Sequence, residues 1–282
     1  MSKILHIVPG TGDVANGMVV VVQLLAKEQG DAGVVDLKDG VPAIGRSDVE
    51  DVWVHGMWLP KEWQACWKAL RLGKRLVRMT HGSLSPVYLK HQSPFKKRLV
   101  APVERYLLRK ADKVIATCEA ETDWIRTYEP RVKTIEVTNP KRFFNLNASS
   151  SPIPHHTSLH LLYLGRRHPL KGIQFLTEAL GQLHGVISYE FRVVSNAYGE
   201  ELEKVWNWCD ALVLPTLSEN FGLVVAEALE RGKRVITTDG APAWGDGNDY
   251  GGRMIYLNGY RNGTVEYRVK LLQNAIVRCS NG

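Results

Sequence analysis

The chain has 282 residues, 44% hydrophobic and 23% charged, with 25 glycines and 13 prolines, a composition that suits two globular domains or one large one and excludes a disordered or fibrous chain. Its four cysteines, Cys66, Cys118, Cys209 and Cys279, lie far apart without paired-ligand spacing, which argues against a disulfide framework or zinc site and for reduced thiols in the cytoplasm. The longest near-continuous apolar run, 18–26, falls short of the roughly 20 residues of a membrane span, and the net charge of +7 points to an anionic partner.

Residues 3–8 form a predicted strand, followed by a glycine loop (Gly10, Gly12, Gly17) and a predicted helix over 18–28. The interval from Gly12 to Gly17 imitates a P-loop, but Met18-Val19 stand where Lys and Ser/Thr are required, so ATPase-type phosphate cradling is excluded. Close backbone approach to a ligand at the helix start, or a plain turn, remains.

A strand at 52–54 leads into His55-Gly56 and Trp58. Trp63, Cys66, Trp67 and Leu70 then recur at helical spacing, with Lys61, Lys68, Arg71 and Lys74 off that stripe, predicting an amphipathic helix with buried tryptophans. A strand at 75–80 delivers His81-Gly82, and a second basic helix follows over 95–107. Strand 113–117, helix 120–128 and strand 134–138 complete the half. Residues 61–113 hold 14 basic and 3 acidic side chains, a patch suited to an anionic membrane, a phosphorylated acceptor or nucleic acid, or to a solvated face. Because the tryptophans are expected inside, they are not expected to serve as stacking platforms for nucleic acid.

The segment 145–158 is polar, contains prolines and lacks periodicity, so it reads as a linker; the paired His155-His156 within it read as inert. The expected domains are 1–147 and 159–282, joined by 148–158. Alternation then restarts with strand 159–164, helix 172–183, strand 189–194 and helix 200–208. Strands alternating with helices imply parallel sheets covered on both faces.

After strand 159–164 come Arg166 and Lys171-Gly172. An arginine fork, a lysine and free backbone N–H groups at a helix start make a diphosphate site. Residues 211–239 form a strand, a polar loop (Ser218-Glu219-Asn220-Phe221-Gly222), a helix carrying Glu227, and a strand. Glu227 interrupts an almost wholly apolar helix, which places it facing a cleft with something to bind. A terminal amphipathic helix is expected over 264–278.

Gly165-Arg166, Lys171-Gly172, Ser218 to Gly222 and Glu227-Ala228 in combination, with Gly17, His55-Gly56 and His81-Gly82 in the first half, resemble the retaining nucleotide-sugar glycosyltransferases of GT-B fold, in their bacterial surface-polysaccharide and lipopolysaccharide branch. The resemblance implies two Rossmann-like α/β domains facing across a cleft, the first binding acceptor and the second donor. It implies sugar transfer from a UDP- or GDP-linked donor to a surface glycan or lipid-linked acceptor. Arg166 and Lys171 would stabilise the leaving diphosphate, Glu227 would bind ribose, and Glu219 with the amides of Asn220, Phe221 and Gly222 would hold the transferred sugar. Gly17 would approach the phosphates, His55 would lie on the substrate side, and His81 would face sugar or acceptor or else be a satisfied buried imidazole. No Asp-x-Asp motif occurs, so neither metal nor other cofactor is expected. Nucleic acid is not an expected partner, and the location implied is cytoplasmic, peripheral on the inner membrane face. A non-catalytic sugar-nucleotide-binding subunit is the alternative from another class, and a nucleic-acid-binding protein a weaker one. The short 195–200 segment leaves the base open.

Overall fold

Strands and helices alternate along the chain in a computed structural model that describes residues 3–11, 17–91, 94–146, 157–195 and 197–280, the side chains of 91–97 excepted. Residues 12–16 of the glycine loop, the linker with His155-His156, and Asn196 lie outside the described residues. The chain divides into two compact units, Met1–Pro140 and Lys141–Gly282.

In the first unit, β1 (Ile4–Val8), β2 (Ala32–Asp36), β3 (Asp51–His55), β4 (Arg75–Met79), β5 (Lys113–Ala116) and β6 (Ile135–Val137) form a six-stranded sheet. Its order is β2-β1-β3-β4-β5-β6 and every pairing is parallel. Helices α1 (Gly17–Gln29), α2 (Leu37–Ala43), α3 (Pro60–Arg71), α4 (Pro86–His91), α5 (Pro94–Lys110) and α6 (Glu119–Tyr128) connect the strands. Alternation along β1 and β3 divides the sheet's two faces. Leu5, Ile7, Val52 and Val54 enter the main core, while Val8 packs with Val19 and Val22 of α1.

The second unit has a five-stranded parallel sheet, order β11-β10-β9-β7-β8. Its strands are β7 (Leu159–Leu164), β8 (Tyr189–Val194), β9 (Ala211–Leu214), β10 (Arg234–Thr238) and β11 (Met254–Leu257). Its helices are α7 (Ile173–Leu183), α8 (Gly199–Trp208), α9 (Leu223–Glu230) and α10 (Val265–Ser280). Val269, Leu272, Ala275 and Ile276 of α10 join Phe175, Leu176, Ala179 and Leu180 of α7 in one core.

Residues 141–146, expected in the first domain, are tied to the second unit. Lys141 pairs with Asp246 at 2.6 Å, Glu230 accepts from the Asn145 amide at 3.1 Å, and Arg253 donates to the Leu146 carbonyl at 2.8 Å.

In both sheets, the strand order reverses direction beside the unit's first strand: β1 lies between β2 and β3, and β7 between β8 and β9. Crossovers on either side of such a strand diverge to opposite faces, opening a crevice at its carboxyl end where ligands of α/β sheets bind. Gly17 follows β1 and His55 ends β3; Arg166 and Lys171 follow β7, and Glu219 to Gly222 follow β9.

One expectation about burial is corrected. Trp63 is partly buried, donating its indole N–H to Glu104 at 2.8 Å. Trp67 is 46% exposed and stacks on Tyr106 of α5, with ring centroids 5.0 Å apart. Helical spacing placed both on one stripe, but Trp67 lies at its edge, where a neighbouring ring covers only one face.

Candidate functional site

The loops after β7 and β9 are fastened to each other in the second unit. The Leu217 amide donates to the Leu170 carbonyl at 2.8 Å and the Thr216 hydroxyl to the same oxygen at 3.1 Å. Gly172 adopts a left-handed φ of 69°, and a Cβ there would lie 1.9 Å from the Pro215 carbonyl oxygen. Only glycine permits both that backbone and that approach. Close approach alone requires glycine at Gly240, whose missing Cβ would lie 2.1 Å from the Thr216 oxygen and whose carbonyl accepts from the Glu219 amide at 2.8 Å.

This fastening brings Lys171 and Glu219 into an ion pair. The ammonium has three donors, so pairing with one carboxylate oxygen leaves it able to donate elsewhere. Arg166, held by its carbonyl accepting from the Tyr163 hydroxyl at 3.0 Å, is exposed, and its guanidinium makes no hydrogen bond or ion pair among the described residues. Phe221 is buried against Trp244, whose indole donates to the Phe221 carbonyl at 2.6 Å. That contact sets the turn into α9, where Gly222 is the N-cap and no side chain caps the helix. The first-turn N–H groups of such a helix lack intrahelical partners and form an anion- or hydroxyl-binding end. Asn220 is half-buried in the same turn.

Glu227 lies in α9. Its carboxylate accepts no hydrogen bond among the described residues, and burial raises its pKa despite the opposing charge of Arg231. A half-buried carboxylate without a donor suits a hydroxyl-bearing ligand.

In the first unit, His81 is buried and strained, with φ 48°. Glu121, fully buried on α6, accepts from the Thr80 hydroxyl at 2.5 Å, the Thr117 amide and hydroxyl at 2.7 Å each, and the Gly82 amide. Four donors around one carboxylate clamp the turn that carries His81. His55, expected on the substrate side, is fully buried, and both its ring nitrogens are taken, by His6 and His81. Gly17 is exposed at the first position of α1.

Thus the structure joins Lys171 to Glu219 and His55 to His81. Sequence reasoning missed Glu121 and His6. Glu121 follows the Thr117-Cys118 strand end by a capping-like interval, a signal that could have marked it; His6 sits in an apolar strand, where a polar residue asks for a partner. Among the described residues, no group of three or more His, Cys, Asp or Glu side chains could hold a metal ion, and no helix is long and apolar enough to cross a membrane.

Two parallel α/β sheets, each with its candidate residues at the carboxyl ends of strands flanking the reversal point, define a two-domain protein of GT-B fold. Residues 15–140 match the glycosyl transferase 4-like domain and residues 187–245 the glycosyl transferases group 1 family. The two matches, one in each unit, together support a group 1 glycosyltransferase. Sucrose-phosphate synthase from Thermosynechococcus elongatus is similar in fold (TM-score 0.67, 15% identity, 99% of this chain and 90% of that one). So are Anabaena HepE in complex with UDP and glucose (TM-score 0.63, 16% identity, 100% and 95%) and a UDP-forming trehalose-phosphate synthase from Burkholderia xenovorans (TM-score 0.66, 10% identity, 98% and 91%). No curated protein sequence matches the chain.

Proposed function

We propose that this glycosyltransferase moves a sugar, with retention of configuration, from a UDP- or GDP-linked donor to a bacterial surface glycan or lipid-linked acceptor. The observation that carries the donor half is the cation pair Arg166 and Lys171 at the end of β7, locked by Leu170 and Gly172 to the loop that bears Glu219. Cations fixed before the reaction stabilise charge developing on a leaving diphosphate without reorganising, a larger effect in a site that excludes water. The two side chains supply the positive charge that a bound cation provides elsewhere, so transfer proceeds without added metal. Glu227, with an unfilled carboxylate, accepts from ribose hydroxyls, and Glu219 with the amides at 220–222 orients the sugar. HepE, a protein of the same fold, was solved with UDP and glucose, which supports a UDP-linked donor.

The acceptor half rests on charge. Lys61, Arg71, Arg98 and Lys110 are exposed on α3 and α5 beside Trp67 and Leu99, a basic, partly apolar face suited to an anionic membrane surface at which a lipid-linked acceptor is presented.

The test is nucleotide release from a panel of UDP- and GDP-sugars with lipid-linked and glycan acceptors, in the presence of chelator. Turnover with one donor, strongly reduced by Glu227→Ala, is expected; absence of turnover with every donor overturns the reading.

A further inference from the structure

Three histidines, His6 on β1, His55 at the end of β3 and His81 in the turn after β4, touch in series. His6 Nδ1 lies 2.8 Å from His55 Nε2, and His55 Nδ1 lies 2.9 Å from His81 Nε2. At the other end, His6 Nε2 lies 2.7 Å from Gln29 Oε1, at the last position of α1. Successive ring centroids are 5.1 Å apart.

A neutral imidazole has one N–H and one lone pair. Each contact in such a row must be donated by one side only, so the direction of any single contact determines all the others. The amide oxygen of Gln29 can only accept. His6 therefore donates from Nε2 and accepts at Nδ1, His55 donates from Nε2 and accepts at Nδ1, and His81 donates from Nε2. What remains is a bare lone pair on His81 Nδ1, which is buried and has no hydrogen-bond partner. An imidazolium at His6 or His55 would set N–H against N–H, while at His81 the proton would fill the bare Nδ1; burial disfavours all three, pushing His6 down to about 4, His81 to about 3, and His55 well below its ordinary value.

A row serving only to fill the core would end on a satisfied atom, since a buried unpaired acceptor costs about 1–3 kcal/mol. Here the row ends unsatisfied, on a residue held at positive φ by the Glu121 clamp. Both features mark a group kept ready for a ligand.

We propose that Gln29 and His6, acting through His55, are positioning residues that hold His81 as its Nε2–H tautomer, so that His81 Nδ1 accepts a hydrogen bond from a hydroxyl of the sugar or acceptor. The inference rests on the reading of His81 as a substrate-facing residue. It extends the reacting site to a glutamine at the opposite end of α1 from Gly17, and it specifies the ligand group: one that donates. A substrate bearing an ether or carbonyl oxygen at that position is rejected, because two acceptors then meet.

The test is the histidine tautomer pattern of the full chain in two-bond ¹H–¹⁵N correlation spectra, read with turnover. The expected result is three Nε2–H tautomers. Gln29→Glu, which still only accepts, preserves the three Nε2–H tautomers at pH well above the titration of His6. Gln29→Leu mixes the tautomers at His81 and lowers kcat by about tenfold, one net hydrogen bond, with circular dichroism unchanged. An Nδ1–H tautomer at His81 in the unmodified protein, or a pattern indifferent to Gln29→Leu, overturns the proposal. If the tautomers respond to Gln29→Leu but His81→Phe transfers sugar at the full rate, the lock exists without the ligand contact and the substrate-facing reading falls instead.

Discussion

Lys171 and Glu219, 48 positions apart in sequence, form an ion pair between the loops that follow β7 and β9. With side chains 21% and 18% exposed, the pair is shielded yet reachable. Its worth in stability is small, since such pairs near solvent contribute at most about 1 kcal/mol. Its worth in function is positional: Glu219 aims the ammonium, and the ammonium fixes the carboxylate in the loop.

Lys171→Ala is therefore expected to lower kcat by about 10²–10³, the loss seen when one preorganised donor to developing charge is removed, while the unfolding midpoint shifts little. Lys171→Arg restores only part of the rate, because a planar fork cannot occupy the place of a compact ammonium beside Glu219. Steady-state nucleotide release and thermal unfolding on the same preparations check both outcomes. A rate loss matched by an equal loss of folded protein would assign Lys171 to structure instead.

Gly172→Ala tests the fastening of the two loops. A methyl group 1.9 Å from the Pro215 oxygen cannot be accommodated, and the backbone at φ 69° adds strain for any L side chain. Either the loops separate or the second unit loses about 2–4 kcal/mol, the range of overpacking plus left-handed strain. Urea unfolding of the variant should show the lowered midpoint, together with weakened donor binding by calorimetry. Gly181→Ala in α7, where an added Cβ meets nothing within 4 Å, is the neutral comparison.

The alternation of strand and helix was legible over most of the chain, because apolar runs of four to six residues bounded by glycine and polar loops leave little choice of element. Residues 30–50 were not. β2 offers only two β-branched residues between Gly30 and Asp36, and α2 contains Gly40 and Pro42, so neither has local propensity on its side. What forms them is context: β1 supplies β2's ladder, and the Asp36 carboxylate caps α2 by accepting from the Lys38 amide. The donor-side residues could be picked out because arginine, lysine and glutamate at strand ends are chemically conspicuous. The histidine row could not, since His6, His55 and His81 are separated by 49 and 26 positions, and only the parallel register of β1, β3 and β4 brings them together. Trp67 failed in the opposite direction: spacing identified its stripe but not the stripe's edge.

Glu121→Gln should unfasten the His81 turn. The replacement amide keeps one oxygen and presents N–H groups in place of the other, so either the Gly82 or the Thr117 backbone N–H, which donate to different carboxylate oxygens, faces a donor and is left unpaired at a cost of about 1–3 kcal/mol. The unfolding midpoint should fall by about 2–4 °C per kcal/mol, and kcat should fall further than Lys171-independent binding of the donor does. Glu121→Ala, which removes the clamp without placing donor against donor, should be no less damaging to kcat. A variant with full activity would detach the turn from the reaction.

The exposed side of α3 and α5 can be tested apart from catalysis. Trp67 and Leu99 are 46% and 73% exposed among basic neighbours, so the protein should sediment with vesicles containing anionic lipid and not with neutral ones. Raising salt should release it, since each contributing cation is worth about 1 kcal/mol near such a surface and is screened over about 10 Å at 0.1 M salt. Replacing Trp67 and Leu99 together by Ala should weaken vesicle binding while leaving turnover of a water-soluble acceptor intact. Equal binding to neutral and anionic vesicles would exclude the charged face as the docking surface.

Acid should weaken the first unit above the ordinary carboxylate range. His6, His55 and His81 stay neutral in the folded chain, with pKa values of about 4, well below ordinary, and about 3, against an ordinary value near 6.5 in the unfolded chain. As pH falls through about 6.5 the unfolded state takes up protons that the folded state refuses, so stability declines from there until the folded values are passed. Each such group contributes a slope of about 1.4 kcal/mol per pH unit. Burial is the largest cause at all three; His6 and His81 charges and Arg78 add to it at His55, and His6 at His81, while the Gln29 hydrogen bond opposes it at His6 without overcoming it. Glu62 opposes them. Burial holds it at about 7, above its ordinary value near 4.3, so within that window its folded form binds the extra proton and stability rises as pH falls. With three groups against one, urea unfolding between pH 7 and pH 5 should show a net loss of stability. Glu62→Gln, which removes the opposing contribution, should make that loss steeper, and His6→Gln should make it shallower. A stability flat across pH 5–7 in both variants would mean that the histidines are charged in the folded protein, which would also remove the basis for a fixed tautomer at His81.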